Sequence, residues 1–147
     1  MRWRFVDRIE AFEPWAFMRG RKAISLEEYS LLNPFGREGV FPESLALESC
    51  IHLARWLVVR SSNFKSTCIL SELGHFNFNH EVGMGEVLRM GITATPKGED
   101  SLEVDCEATD GDRLICHGAL TMGLTDLTGL ADPEAMKALW QELYVKA

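Results

Sequence analysis

No apolar run in the chain approaches the eighteen or so residues a membrane-spanning helix needs. The longest are of the order of Leu45-Ala46-Leu47 and Trp56-Leu57-Val58-Val59. A transmembrane helix is therefore not expected. The opening Met1-Arg2-Trp3-Arg4-Phe5-Val6-Asp7-Arg8 sets charges where a secretory signal must be apolar, which argues for the cytoplasm. Cys50, Cys68, Cys106 and Cys116 make no C-x-x-C pair and each sits among apolar neighbours. They read as buried free thiols rather than as a zinc or redox centre. No His, Cys and carboxylate set has metal-site spacing, so no metal is expected. There is no G-x-G-x-x-G, no P-loop and no G-x-S-x-G, so neither a nucleotide cofactor nor a serine elbow is expected. Basic residues number 15 against 22 acidic, for a net charge of −7, and they are dispersed. That excludes a phosphate-backbone partner as the leading reading. Repeats, low-complexity tracts and Gly/Ser/Pro linkers are also missing.

What is present is a chain of 147 residues, 46% hydrophobic and 25% charged, with a mean hydropathy of −0.06. A domain of this size removes roughly 70% of its extended-chain surface from water, so its core needs neither disulfides nor metal. One domain over residues 1–147 is expected, with a core over about 2–124 and a helical extension over about 132–145.

Arg2 to Ile9 and Trp15 to Ser25 read as strands, separated by Pro14. Asn33 to Pro42 carries two prolines and two glycines and reads as an irregular loop. Glu43 to about Arg60 has neither Gly nor Pro and predicts a helix of about five turns, apolar nearly all the way round and hence buried on most sides. The exceptions, Ser44, Glu48, His52 and Arg55, recur at spacings of four, four and three and so form one polar stripe along its axis. Ser66 to Phe78, Gly85 to Thr95, Ser101 to Ala108 and Arg113 to Leu124 read as strands between turn-rich connectors, among them Glu81-Val82-Gly83-Met84. Leu102, Val104, Cys106 and Ala108 alternate with Glu103, Asp105 and Glu107, as in a half-buried strand, and Asp110-Gly111 marks a hairpin turn. Asp132-Pro133 starts a last helix, with Met136, Leu139, Trp140 and Leu143 on one face. That helix either docks on its own sheet or serves as a lid or partner-binding element. The expected architecture is α+β, a curved antiparallel sheet wrapped around a central buried helix.

The order of these elements and their local wording resemble the hot-dog fold, and within it the 3-hydroxyacyl-acyl-carrier-protein dehydratases of fatty-acid synthesis. Phe5-Val6-Asp7-Arg8-Ile9 resembles the opening of that family, and Asn33-Pro34-Phe35 with Val40-Phe41-Pro42 and Leu45-Ala46-Leu47-Glu48 resembles its loop-to-helix segment. Phe76-Asn77-Phe78 through Gly85-Glu86-Val87-Leu88 is similar to its next strand and turn. The resemblance spans about Arg4 to Leu124. It implies a homodimer or larger even oligomer, an acyl thioester on acyl carrier protein or coenzyme A as partner, and no cofactor.

In that family a histidine from the loop works with an acidic residue of the other subunit's central helix. Glu48 matches the acidic position, but counting back to the histidine position reaches Pro34, and Asn33 to Pro42 holds no histidine. Glu43 also stands where the family has glycine. Dehydration needs both an acid and a base within hydrogen-bond reach. His52, one turn beyond Glu48, is the nearby candidate for the missing partner, set against a structural histidine. Arg55 reads as a structural partner, Ser44 as a helix-start residue, and His75, His80 and His117 as non-catalytic. Phe41, Phe76 and Phe78 are core or tunnel aromatics. Gly36 and Gly39 serve the loop backbone. Gly39, Val40 and Phe41, on the approach to the helix, are the segment the resemblance implies for substrate binding. The activity expected is that of a dehydratase-like lyase of fatty-acid or polyketide-type biosynthesis, with Glu48 and His52 as catalytic residues. The alternatives are a non-catalytic acyl-binding or partner subunit, and a thioesterase on the same fold.

Overall fold

Residues 4–25, 40–41, 43–83 and 85–144 are described by the computed structural model. Chain order is β1 (Arg8–Glu13), β2 (Phe17–Ala23), β3 (Val40–Phe41), α1 (Glu43–Ser61), β4 (Ser66–Phe78), β5 (Val82–Gly83), β6 (Val87–Lys97), β7 (Ser101–Thr109), β8 (Leu114–Asp126) and α2 (Pro133–Leu143). Six strands form one antiparallel sheet in the order β1-β2-β6-β7-β8-β4, which leaves β1 and β4 at its edges.

The period-two patterning decides which face of this sheet is covered. Met18 on β2, Leu88, Met90 and Ile92 on β6, Leu102, Val104 and Cys106 on β7, and Leu120 and Met122 on β8 are all buried and form one core with α1. That helix buries Cys50, Ile51, Leu53, Ala54, Trp56, Leu57, Val58 and Val59. A helix apolar on most sides has to be wrapped by its sheet, and this one is. All four cysteines are buried and free. The Cys106 thiol and burial push Cys50 well above its ordinary pKa against an opposing pull from Cys116, and burial pushes Cys68 up to about 12, so these thiols pack as apolar groups. Gly118 lets β4 and β8 approach: a Cβ there would stand 2.4 Å from the His75 carbonyl oxygen and from the Phe76 ring.

The first strand lies further along the chain than Arg2 to Ile9. The turn at Pro14-Trp15-Ala16 is tight, with Trp15 at φ 61 and Ala16 N–H donating to Glu13 O at 3.0 Å, so pairing runs up to Glu13 and begins only at Arg8. Upstream, the Asp7 carboxylate accepts from Ala23 N–H at 2.7 Å and closes that end of the ladder. Trp15 and Ala16 accordingly belong to the turn and not to β2. A second correction concerns Val82-Gly83, expected in a connector. It pairs as β5 with β3, and Val82 is fully buried. Residues 1–3, Gly36 and Gly39, with most of the Asn33 to Pro42 loop, lie outside the described residues.

Asp132 caps α2 by accepting from Glu134 N–H at 3.2 Å, and Pro133 opens the helix. Trp140 is the anchor: its ring centroid lies 5.2 Å from Phe12, 5.9 Å from Trp56 and 5.1 Å from Tyr144, with the Arg60 guanidinium 5.8 Å away. Helix α2 therefore docks on β1 and on α1 of its own domain. No helix among the described residues is long and apolar enough to cross a membrane.

Candidate active site on the central helix

The polar stripe predicted on α1 is real. Glu48 Oε1 lies 3.1 Å from His52 Nε2 and 3.9 Å from Arg55 Nη1. Spacings of four and three put these side chains over one another along the helix. Arg55 is fixed from the far side, donating from Nε to the Cys68 carbonyl of β4 at 3.3 Å. The Phe5 ring covers His52 with centroids 4.8 Å apart. Each side chain of the stripe is about a third exposed, at 37% for Glu48, 34% for His52 and 36% for Arg55, so the stripe borders the core and is reachable from outside.

Burial first, and then the Arg55 guanidinium, hold the His52 imidazole below its ordinary pKa of 6.5, against an opposing pull from Glu48. His52 is thus mostly neutral at pH 7, and a neutral imidazole can accept a proton.

His52 also borders a cavity of about 310 Å³ between α1, α2 and the segment Arg4 to Val6. Its apolar lining includes Phe5, Val6, Trp56, Val59, Met136, Leu139 and Leu143. The sequence reading foresaw the stripe but not this cavity, which is assembled from segments more than a hundred residues apart. The recurrence of Met136, Leu139 and Leu143 on one face of α2 was the available signal.

Of the other candidate residues, Val40 and Phe41 form β3, and pairing with Val82–Gly83 holds their backbone just ahead of the α1 entrance. Gly39 lies outside the described residues. Ser44 is exposed in the first turn of α1. His75 Nε2 meets the Asn77 amide at 2.9 Å on the edge strand, away from the stripe. No cluster of three or more potential metal ligands occurs among the described residues.

No protein-family profile matches the chain. The 3-hydroxyacyl-(acyl-carrier-protein) dehydratase FabZ of Lactobacillus helveticus is 24% identical to it over 123 residues, 83% of either chain. Among solved structures, a hot-dog-like protein from Thermanaerovibrio acidaminovorans superposes with a TM-score of 0.65 at 12% identity, covering 92% of this chain and 96% of that one. A hypothetical thioesterase from Streptococcus pneumoniae, solved with coenzyme A, gives a TM-score of 0.60 at 18% identity over 81% of this chain and 85% of its own. With its six-stranded antiparallel sheet wrapped around α1, the chain is a hot-dog protein whose sequence is similar to the 3-hydroxyacyl-acyl-carrier-protein dehydratases.

Proposed function

We propose that the protein binds an acyl thioester, carried on acyl carrier protein or coenzyme A, and interconverts its 3-hydroxyacyl and 2-enoyl forms as a dehydratase-like lyase. The observation that carries this reading is the 3.1 Å contact between Glu48 and His52 on an otherwise apolar helix, beside an apolar cavity. Sequence similarity to a dehydratase of 3-hydroxyacyl thioesters supports it, as does a structural neighbour solved with coenzyme A.

In this reading the neutral His52 imidazole takes the α-proton as the carbon–carbon double bond forms, and the Glu48 carboxylate, 3.1 Å away, steadies the imidazolium so formed. The β-carbon–oxygen bond breaks, and the imidazolium delivers that proton to the departing hydroxyl. Water leaves, and His52 is neutral again. The pair replaces the loop histidine of the resembled family with one on the helix itself. Arg55, 3.9 Å from the Glu48 carboxylate, acts as a positioning residue. Gly39, Val40 and Phe41 lead into α1, whose first-turn N–H groups have no partners within the helix and suit a thioester carbonyl oxygen.

We also assign a homodimer in the cytoplasm. Strand β4 is an edge strand of 13 residues, with Ile69 and Leu73 54% and 48% exposed. An edge of that length with apolar side chains is a template for pairing with a second copy.

The test is mass spectrometry of 3-hydroxyacyl thioesters on both carriers after incubation with the wild type, with Glu48→Gln and with His52→Ala. Loss of one water is expected with the wild type, slowed about 10²- to 10⁴-fold in either variant. Release of free acid instead identifies a thioesterase. Thioesters that bind and return intact identify a non-catalytic acyl-binding subunit.

A further inference from the structure

We propose that the cavity between α1 and α2 holds the acyl chain of the thioester, and that α2 sets the chain length accepted. The inference rests on the acyl-thioester reading above and names the substrate class more closely.

Three observations carry it. Along α1 the cavity is lined from His52 to Val59, so a chain whose head meets the Glu48–His52 pair can extend into it. At 1.5 Å per residue, those seven steps span roughly 10 Å of the helix axis. Second, the cations on its border are already engaged. Arg4 Nη2 pairs with Glu142 Oε2 at 2.7 Å, and Arg55 is shared between the Cys68 carbonyl and Glu48. What those pairs leave to an occupant is the apolar surface of Phe5, Trp56, Met136 and Leu139, which suits an uncharged hydrocarbon better than a phosphate or a free carboxylate.

Third, the volume suits a chain of medium length. A methylene takes about the room of one water in the liquid, roughly 30 Å³, so 310 Å³ holds about ten carbons. One wall is α2, held by Trp140 against Phe12 and Trp56. Met136 and Leu139 face the cavity from that wall and are only half-buried, so their size can change without opening the core.

The experiment uses the full chain and acyl thioesters of four to sixteen carbons on whichever carrier the wild type accepts. It compares wild type, Leu139→Trp and Leu139→Ala, with thermal midpoints recorded for each. The wild type is expected to prefer about six to ten carbons. Leu139→Trp should move that preference to shorter chains and Leu139→Ala to longer ones. Each methylene excluded should cost about fourfold in kcat/KM, or in affinity if there is no turnover. If both variants fold and keep the wild-type chain-length profile, the acyl chain lies elsewhere and this inference fails while the thioester reading stands. If the wild type neither binds nor converts any thioester, the reading itself fails and the inference goes with it.

Discussion

Histidine 52 is caught between opposing influences. Burial and Arg55 disfavour its imidazolium, whereas Glu48 favours it, and the first two prevail. Its native pKa therefore lies below the ordinary 6.5 of the unfolded chain. At pH values above 6.5 neither state is protonated there, so this linkage has no effect on stability. As the pH falls below 6.5 the unfolded chain takes up a proton that the native protein resists, and stability declines until the native pKa is passed. In denaturant titrations at pH 7.5, 6.5 and 5.5, wild type should lose more stability on acidification than His52→Gln. Equal losses would mean that the imidazole titrates normally. The sequence exposed this residue because an apolar helix makes each polar interruption conspicuous, and the four-residue interval from Glu48 placed the two in contact. It could not show the Phe5 ring over the imidazole, or the Cys68 carbonyl that holds Arg55. Those contacts are tertiary, and no local pattern encodes them.

At the scale of elements, α1, β4 and α2 were legible to within a residue or so, because caps, glycines, prolines and the 3.6- and 2-residue periods mark them. The first hairpin was not. Arg4 to Val6 is as strand-like in composition as Arg8 to Glu13, and only the geometry of the Pro14-Trp15-Ala16 turn, tied to α1 by Trp15 N–H donating to Ser61 Oγ at 2.8 Å, decides between them. The β3–β5 pair eluded the sequence for a related reason: a two-residue strand has no period. Helix α2 is held by two buried side chains, Trp140 and Leu143. Trp140→Ala removes contacts with Phe12, Trp56 and Tyr144, and should lower unfolding stability by about 3–5 kcal/mol. A loss under 1 kcal/mol in equilibrium denaturation would mean that α2 packs loosely, and would also remove the fixed wall on which chain-length selection depends.

For the whole molecule, the sheet order could not be read from strand patterns alone, since β4 pairs with β8 across most of the sheet's sequence. The resemblance implied a curved antiparallel sheet around a central helix, and the strand order itself is set by tertiary pairing. That order leaves β4 at an edge with Ile69, Leu73 and Phe78 exposed. In sedimentation or light scattering the protein should have at least twice its chain mass of 16.6 kDa, and Leu73→Lys should shift it toward that single-chain mass. A wild-type monomer at micromolar concentration would contradict pairing through this edge. The role proposed for the helix-borne pair Glu48 and His52 is to move water on and off an acyl thioester. It is tested most directly by supplying a 2-enoyl thioester in ¹⁸O-labelled water and locating the label. ¹⁸O is expected in a 3-hydroxyl group with the wild type, with a large loss of that label in Glu48→Gln. Label in a released carboxylic acid, or incorporation undiminished in the variant, would contradict it.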